Sequence, residues 1–244
     1  MIAIIASVSA RALLSRRRAL LMLLLAAVPV LVGLLARLRG LPGDPIERTA
    51  AIVEQLVVRT VLPLIALVFG TAAIGAELED GTAIHLLTKP VARWRIVAAK
   101  ALAAAPLTAL LAVAATLLTG LAVGAERGTM SVTLALSAGV LVGSVLYVVV
   151  FLALSIITSR ALIVGLVYVV LWEGVLAGLF EGTRVLSIRE YTVAIAAAID
   201  PAARTGSAAP LAVTTAVAGA AIVLVGGLAL ATRQLAVHEI TAGD

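Results

Sequence analysis

AELEDGTAIHLLTKPVARWRIVAAK, residues 76–100, is the longest charge-rich interruption on one side of an otherwise apolar chain. Carboxylates come first, at Glu77, Glu79 and Asp80, and a Gly81–Thr82 turn and a short apolar piece follow. Lys89–Pro90 then breaks the pattern ahead of a basic, Trp-containing restart at Arg93, Trp94, Arg95 and Lys100. Gly81 is a good helix stop, Thr82 can cap a short helix over Ala83–Leu87, and Pro90 forces Lys89 out of the helical region. The stretch therefore predicts a short transverse helix outside the bilayer, with Ile84, Leu86 and Leu87 available to a partner. A loop resting on the lipid surface would satisfy the apolar residues alone, but the acidic cluster argues against anionic lipid as its only contact.

Working outward, composition makes the flanking runs membrane spans. Of 244 residues, 63% are hydrophobic and 13% charged, about half the charge of soluble domains. Mean hydropathy is +1.20, more apolar surface than a soluble core of this length could bury. Cysteine is absent, which removes disulfides, thiolate metal sites and a cysteine nucleophile. The net charge of +5 fits arginines that retain loops on the cytoplasmic side. Nucleic-acid binding would want a basic patch on a soluble module, and none is present.

A helix needs about 20 apolar residues to cross the hydrocarbon. Charge-free runs then place six spans at 19–36, 56–75, 96–123, 132–158, 161–180 and 210–231 of a single transmembrane domain, 1–244. The apolar run of residues 1–18 precedes its arginines, the reverse of a secretory signal; Ile2, Ile5 and Val8 at helical spacing among polar residues predict an N-terminal interfacial helix, with a frayed leader ahead of span 1 as the plainer reading. Residues 76–95 form a cytoplasmic loop and 181–209 an outer segment. Lysines and arginines divide ten inside and eight outside. Four of the inside ones, Arg11, Arg16, Arg17 and Arg18, crowd the first span's entrance, where orientation is often decided. Both termini are thus expected in the cytoplasm.

The 181–209 segment is long for a connection. Its apolar middle, Tyr191–Ile199, is too short to cross, so a re-entrant or interfacial helix pair is expected, with an amphipathic loop helix as the plainer reading. Pro29, Pro63 and Pro106 fall inside spans. Gly120–Gly124, Gly139–Gly143 and Gly174–Gly178 have the small-xxx-small spacing that serves either internal packing or dimerisation.

Chemistry is scarce. The chain has no GxxxxGK[ST] phosphate loop, no GxSxG elbow and no HExxH, and its two histidines, His85 and His238, give metal chemistry little material. Glu173 is the one acid embedded in a span, roughly 20 Å from Arg160 at 1.5 Å per residue, in the outer half of the bilayer. It could serve structure at the span's outer end, line a polar cavity, or meet substrate or protons.

Gly75-x-Glu77, Glu79-x-Gly81-Thr82, Leu86-Leu87, Pro90-Val91, Arg93 and Lys100 together resemble the signature of ABC-2 family permeases, the membrane subunits of ATP-binding-cassette exporters. LWEG at 171–174 and LSIREY at 186–191 are similar to the region between spans 5 and 6 in that family. Members often carry leucine or isoleucine after the Gly-Thr pair and frequently an acid next, where Ala83 and Ile84 stand here.

The resemblance implies an all-α integral membrane protein with six transmembrane helices. A cytoplasmic coupling helix lies between spans 2 and 3, and outer re-entrant helices between spans 5 and 6 help close a gate. It implies a plasma-membrane permease, one half of an exporter dimer with a second copy or paralogue, driven by cytoplasmic ATP-binding-cassette ATPase subunits. Catalysis, ATP and Mg belong to that partner, and no cofactor is implied in this chain. Glu77, Glu79, Gly81, Thr82, Leu86 and Leu87 would couple to the ATPase. Lys89 and Arg93 would fix the loop against headgroups or the motor, and Glu173 is the pathway or gate candidate. The competing classes are a secondary transporter or channel using Glu173, and a membrane enzyme, for which no nucleophile or metal constellation exists.

Overall fold

The computed structural model of the chain describes residues 13, 16–40, 42–74, 92–176, 181–205 and 211–242. Among them the regular structure is entirely helical. Helix α1 (Arg16–Leu38) is apolar all round, and Leu20, Leu21, Leu24, Leu31 and Leu35 stay exposed on it. A helix of that kind suits lipid or a partner better than water.

Helix α2 (Pro45–Ile52) starts where Asp44 accepts from the Ile46 amide at 2.9 Å, with Pro45 in the first turn, where its missing N–H costs nothing. It runs on as a π-helical stretch, Val53–Val61, and then as α3 (Leu62–Ala72). The widened π turns end beside Pro63, whose lack of an N–H would otherwise break the ladder. The result is one continuous rod from Pro45 to Ala72. The apolar run that suggested a span begins at Leu56, but the helix begins eleven residues earlier and carries Glu54 into the packed region.

Helices α4 (Arg93–Val123) and α5 (Arg127–Ile157) form a long antiparallel hairpin through the turn at 124–126. Helix α6 (Ala161–Val167) passes into a second π stretch, Tyr168–Leu176. A 3-10 turn (Glu181–Leu186), α7 (Ile188–Ile199) and another 3-10 turn (Pro201–Ala203) precede α8 (Val213–Ala242). By length and composition, five helices can cross a membrane: Arg18–Leu38, Pro45–Ala72, Arg93–Val123, Arg127–Ile157 and Val213–Val237. The apolar helix Ala161–Val175 is shorter.

The core is built around α5, which packs against α3, α4, α7 and α8. Tyr147 stacks on Phe151 at 6.0 Å between centroids, and Tyr168 meets Phe151 edge-on at 6.2 Å. Helix α7 runs alongside the first half of α5, with Thr192 at Gly139 and Gly143 and Asp200 at Ser131. It sits so close that a Cβ at Gly139 would overlap the Thr192 carbonyl oxygen, and one at Gly143 would meet the Thr192 hydroxyl at 2.5 Å. On α8, a Cβ at Gly219 would come within 2.6 Å of the Tyr191 ring. The glycine pair 139/143 thus serves packing within the chain.

The polar residues of the long helices are mostly satisfied locally. The hydroxyls of Thr71, Thr108, Thr116, Thr119, Thr133, Ser137 and Ser144 each donate to the carbonyl one turn back. They are compatible with hydrocarbon surroundings and trace no polar path.

Candidate functional site

Of the sequence-derived coupling residues, Glu77, Glu79, Gly81, Thr82, Leu86, Leu87 and Lys89 lie outside the described residues, as does most of the 1–18 stretch expected to form an interfacial helix. Arg93 is described. It opens α4, half-buried, and lines a groove with Trp94 and Arg233. The described candidate chemistry gathers at the opposite end of the bundle, around α7.

Glu173, only 1% exposed, sits in the second π stretch. Its Oε2 accepts from the Ser187 hydroxyl at 2.5 Å. Its Oε1 accepts from the Ile188 amide at 3.0 Å and the Tyr168 hydroxyl at 3.2 Å. Ser187 is the N-cap of α7, where its Oγ also accepts from the Glu190 amide at 3.3 Å. The carboxylate therefore closes the N-terminus of α7, where free N–H groups and the helix dipole favour negative charge. The buried Tyr147 hydroxyl faces the same carboxylate.

A second buried carboxylate, Glu54, stands in the first π stretch, 5% exposed. Arg189 of α7 donates to its Oε1 at 3.1 Å. The Thr205 amide and hydroxyl donate to its Oε2 at 3.0 and 2.6 Å. Removing either partner of such a pair leaves an uncompensated charge in a dry site, at a cost of about 3–5 kcal/mol. The third acid, Glu190, bonds Arg184 at 3.0 Å and lies 3.9 Å from Arg204.

The two π stretches also touch directly, through Arg59 donating to the Gly174 carbonyl at 2.6 Å. Tyr191 donates to the Val185 carbonyl, and Trp172 to the Leu186 carbonyl at 3.4 Å. Ser131, at the start of α5, donates to Asp200 at 2.6 Å. Helix α7 is thus held at both ends and along one flank by charged or polar ties to three different helices. Glu54 and Glu173 both sit where their helices widen, and π turns of this kind concentrate at functional positions.

Glu54, Arg59, Arg189, Glu190 and Arg204 were not singled out by the sequence. One signal was available: Ser187-x-x-Glu190 is a capping-box spacing that announces a helix at Ile188. Nothing local announces that Glu54 pairs with a residue 135 positions on. Among the described residues, no group of three histidine, aspartate or glutamate side chains could hold a metal ion.

Comparison with curated proteins returned no match. A family model described as ABC-2 family transporter protein matches residues 43–235. That match runs from the approach to α2 into α8, most of the 244 residues, and takes in four of the five helices long and apolar enough to span a bilayer, all but Arg18–Leu38. The chain is a multi-pass membrane protein and belongs to the ABC-2 transporter family.

Proposed function

We propose that this chain is the permease subunit of an ATP-binding-cassette exporter, paired with a second copy or paralogue in the plasma membrane. Separate cytoplasmic subunits that bind ATP and Mg would drive it. The observation that carries the reading is the family match over 43–235 on a bundle of membrane-length helices. The finer topology has six spans, with 161–175 belonging to the short fifth one, both termini and the 76–95 loop in the cytoplasm, and 181–209 on the outer side.

In this reading the motor seats on the 76–95 segment through Glu77, Glu79, Gly81, Thr82, Leu86 and Leu87, while Lys89 and Arg93 hold the loop at the headgroups. ATP-driven closure of the motor tilts the helices on either side of the loop. One of these is the rod Pro45–Ala72, which carries Glu54 at its far end. Tilting the rod strains Glu54–Arg189, and with it the seating of α7. Glu173 anchors the N-terminus of α7, so the two carboxylates act as hinge pins of an outer gate. With Ser187, Ile188 and Tyr168 occupying its oxygens, Glu173 fits an anchor better than the ion or proton carrier a secondary transporter would need.

The test is charge reversal at Glu77 and Glu79 in the full chain, co-expressed with its ATPase. Loss of ATPase binding, or of transport-linked ATP turnover, is expected. Retention of both overturns the coupling assignment.

A further inference from the structure

Away from the α7 end, α4 and α8 flank a groove. Its mouth, about 610 Å³, is lined by Arg93, Trp94, Thr232 and Arg233 among others. It shares Ala98 and Leu228 with a deeper slot of about 750 Å³, so the two form one channel open on its side. The slot follows from the sequence of α4. Ala98, Ala101, Ala105 and Ala109 recur every three or four residues and put one shallow, small-residue stripe on a single face. Beyond Ala98 only alanine, leucine, valine and proline line it. From Ala98 to Val113 it rises about 22 Å, past the middle of a hydrocarbon layer roughly 30 Å thick.

The mouth has the opposite chemistry. Among the described residues, two guanidinium groups line it and no carboxylate does. Beside them Trp94 is 54% exposed, with the Arg95 guanidinium over its ring at 5.4 Å. An exposed tryptophan between arginines at a helix start marks headgroup depth, and arginine pairs well with phosphate. A cationic mouth at headgroup depth, continuous with a one-sided apolar slot, complements an anion carrying a long hydrocarbon tail.

We propose that the α4–α8 groove is a binding site for an anionic phospholipid, its phosphate at Arg93 and Arg233 and one acyl chain along the alanine stripe. The leaflet involved, the cytoplasmic one, rests on the topology proposed above; the site itself does not.

Trp94 and Trp172 are the only two tryptophans, so the full chain carrying Trp172→Phe reports on the mouth alone. Its fluorescence is followed in phosphatidylcholine vesicles that contain either brominated phosphatidylglycerol or brominated phosphatidylcholine as quencher. Phosphatidylglycerol is expected to quench at several-fold lower mole fraction. Arg233→Gln should raise that fraction about fivefold, the contribution of one basic residue at a membrane surface, and Arg233→Lys should retain most of the preference. Ala109→Leu, which fills the slot and leaves the arginines intact, should also weaken quenching. Equal quenching by the two lipids overturns the proposal, as does an Arg233→Gln variant with the wild-type curve. Indifference to Ala109→Leu reduces the site to an ordinary basic fringe and overturns the groove. Protection of Trp94 from both quenchers assigns the face to a second copy of the chain and overturns it as well. None of these readouts involves the ATPase, so failure here is separable from failure of the transport reading.

Discussion

Glu173 and Glu54 are both carboxylates inside helices, yet each is fully engaged by groups on other elements, and the details separate what a substitution does at each. At Glu173, glutamine keeps the shape and an acceptor for the Ile188 amide, whereas leucine strands that amide and the Ser187 hydroxyl in a buried site. Unsatisfied buried groups cost about 1–3 kcal/mol each. Glu173→Gln is therefore expected to assemble at normal yield, and Glu173→Leu to lose several degrees of thermal midpoint in detergent; equal midpoints for the two would contradict the anchoring role. If Glu173→Gln assembles normally but transport is lost, a direct pathway role is favoured. The sequence made Glu173 conspicuous because an acid among LWEG stands alone in apolar surroundings. It concealed Glu54, which lies in PIERTAAIVEQL, a stretch polar enough to pass for a loop. The difference is in the tertiary partner: Arg189 and Thr205 remove the Glu54 charge from lipid, and no window around Glu54 contains them.

Among elements, α7 depends on the absence of a side chain below it. Any Cβ at Gly139 overlaps the Thr192 backbone, which cannot move without shifting the helix. Gly139→Ala should destabilise by about 1–3 kcal/mol and loosen α7. Gly226→Ala on α8, where nothing lies within 4 Å, should be neutral or stabilising by up to about 1 kcal/mol. Limited proteolysis within 181–209 and thermal melts of the pair check this, and equal behaviour of the two variants would refute the packing account. The long helices were legible as charge-free runs, and α7 as a segment too short to cross. The extension of the second rod back to Pro45 was not legible, because Glu47, Arg48 and Glu54 interrupt the run while keeping helical geometry. The glycine spacings were legible only as close approach. That 139 and 143 meet α7 follows from the fold of the 181–209 segment.

For the whole molecule, the natural absence of cysteine allows the topology to be tested without first stripping reactive thiols. Pro42 and Glu126 are exposed at the α7 end of the bundle, and Glu79 belongs to the 76–95 loop proposed to be cytoplasmic. Pro42→Cys and Glu126→Cys are expected to react with an impermeant maleimide on intact cells, and Glu79→Cys only after permeabilisation. The reverse pattern would invert the proposed orientation and move the gate to the cytoplasm. Topology of this sort is weakly written in the sequence: the arginine bias is small overall, and what decides it is the crowding before the first span.

In the proposed mechanism the continuous rod Pro45–Ala72 acts as a lever. Glu54 and Ala72 stand roughly 25 Å apart along its axis at 1.5 Å per residue. Pivoted at its middle, the rod has an arm of about 12 Å. A turn of only about 5° then moves the Glu54 end by about 1 Å, which takes a 3.1 Å charge-assisted contact past hydrogen-bonding range. The ratio of arm length to bond tolerance, fixed by where the acid sits on the rod, means that a slight rocking at one membrane face is enough to unfasten the other.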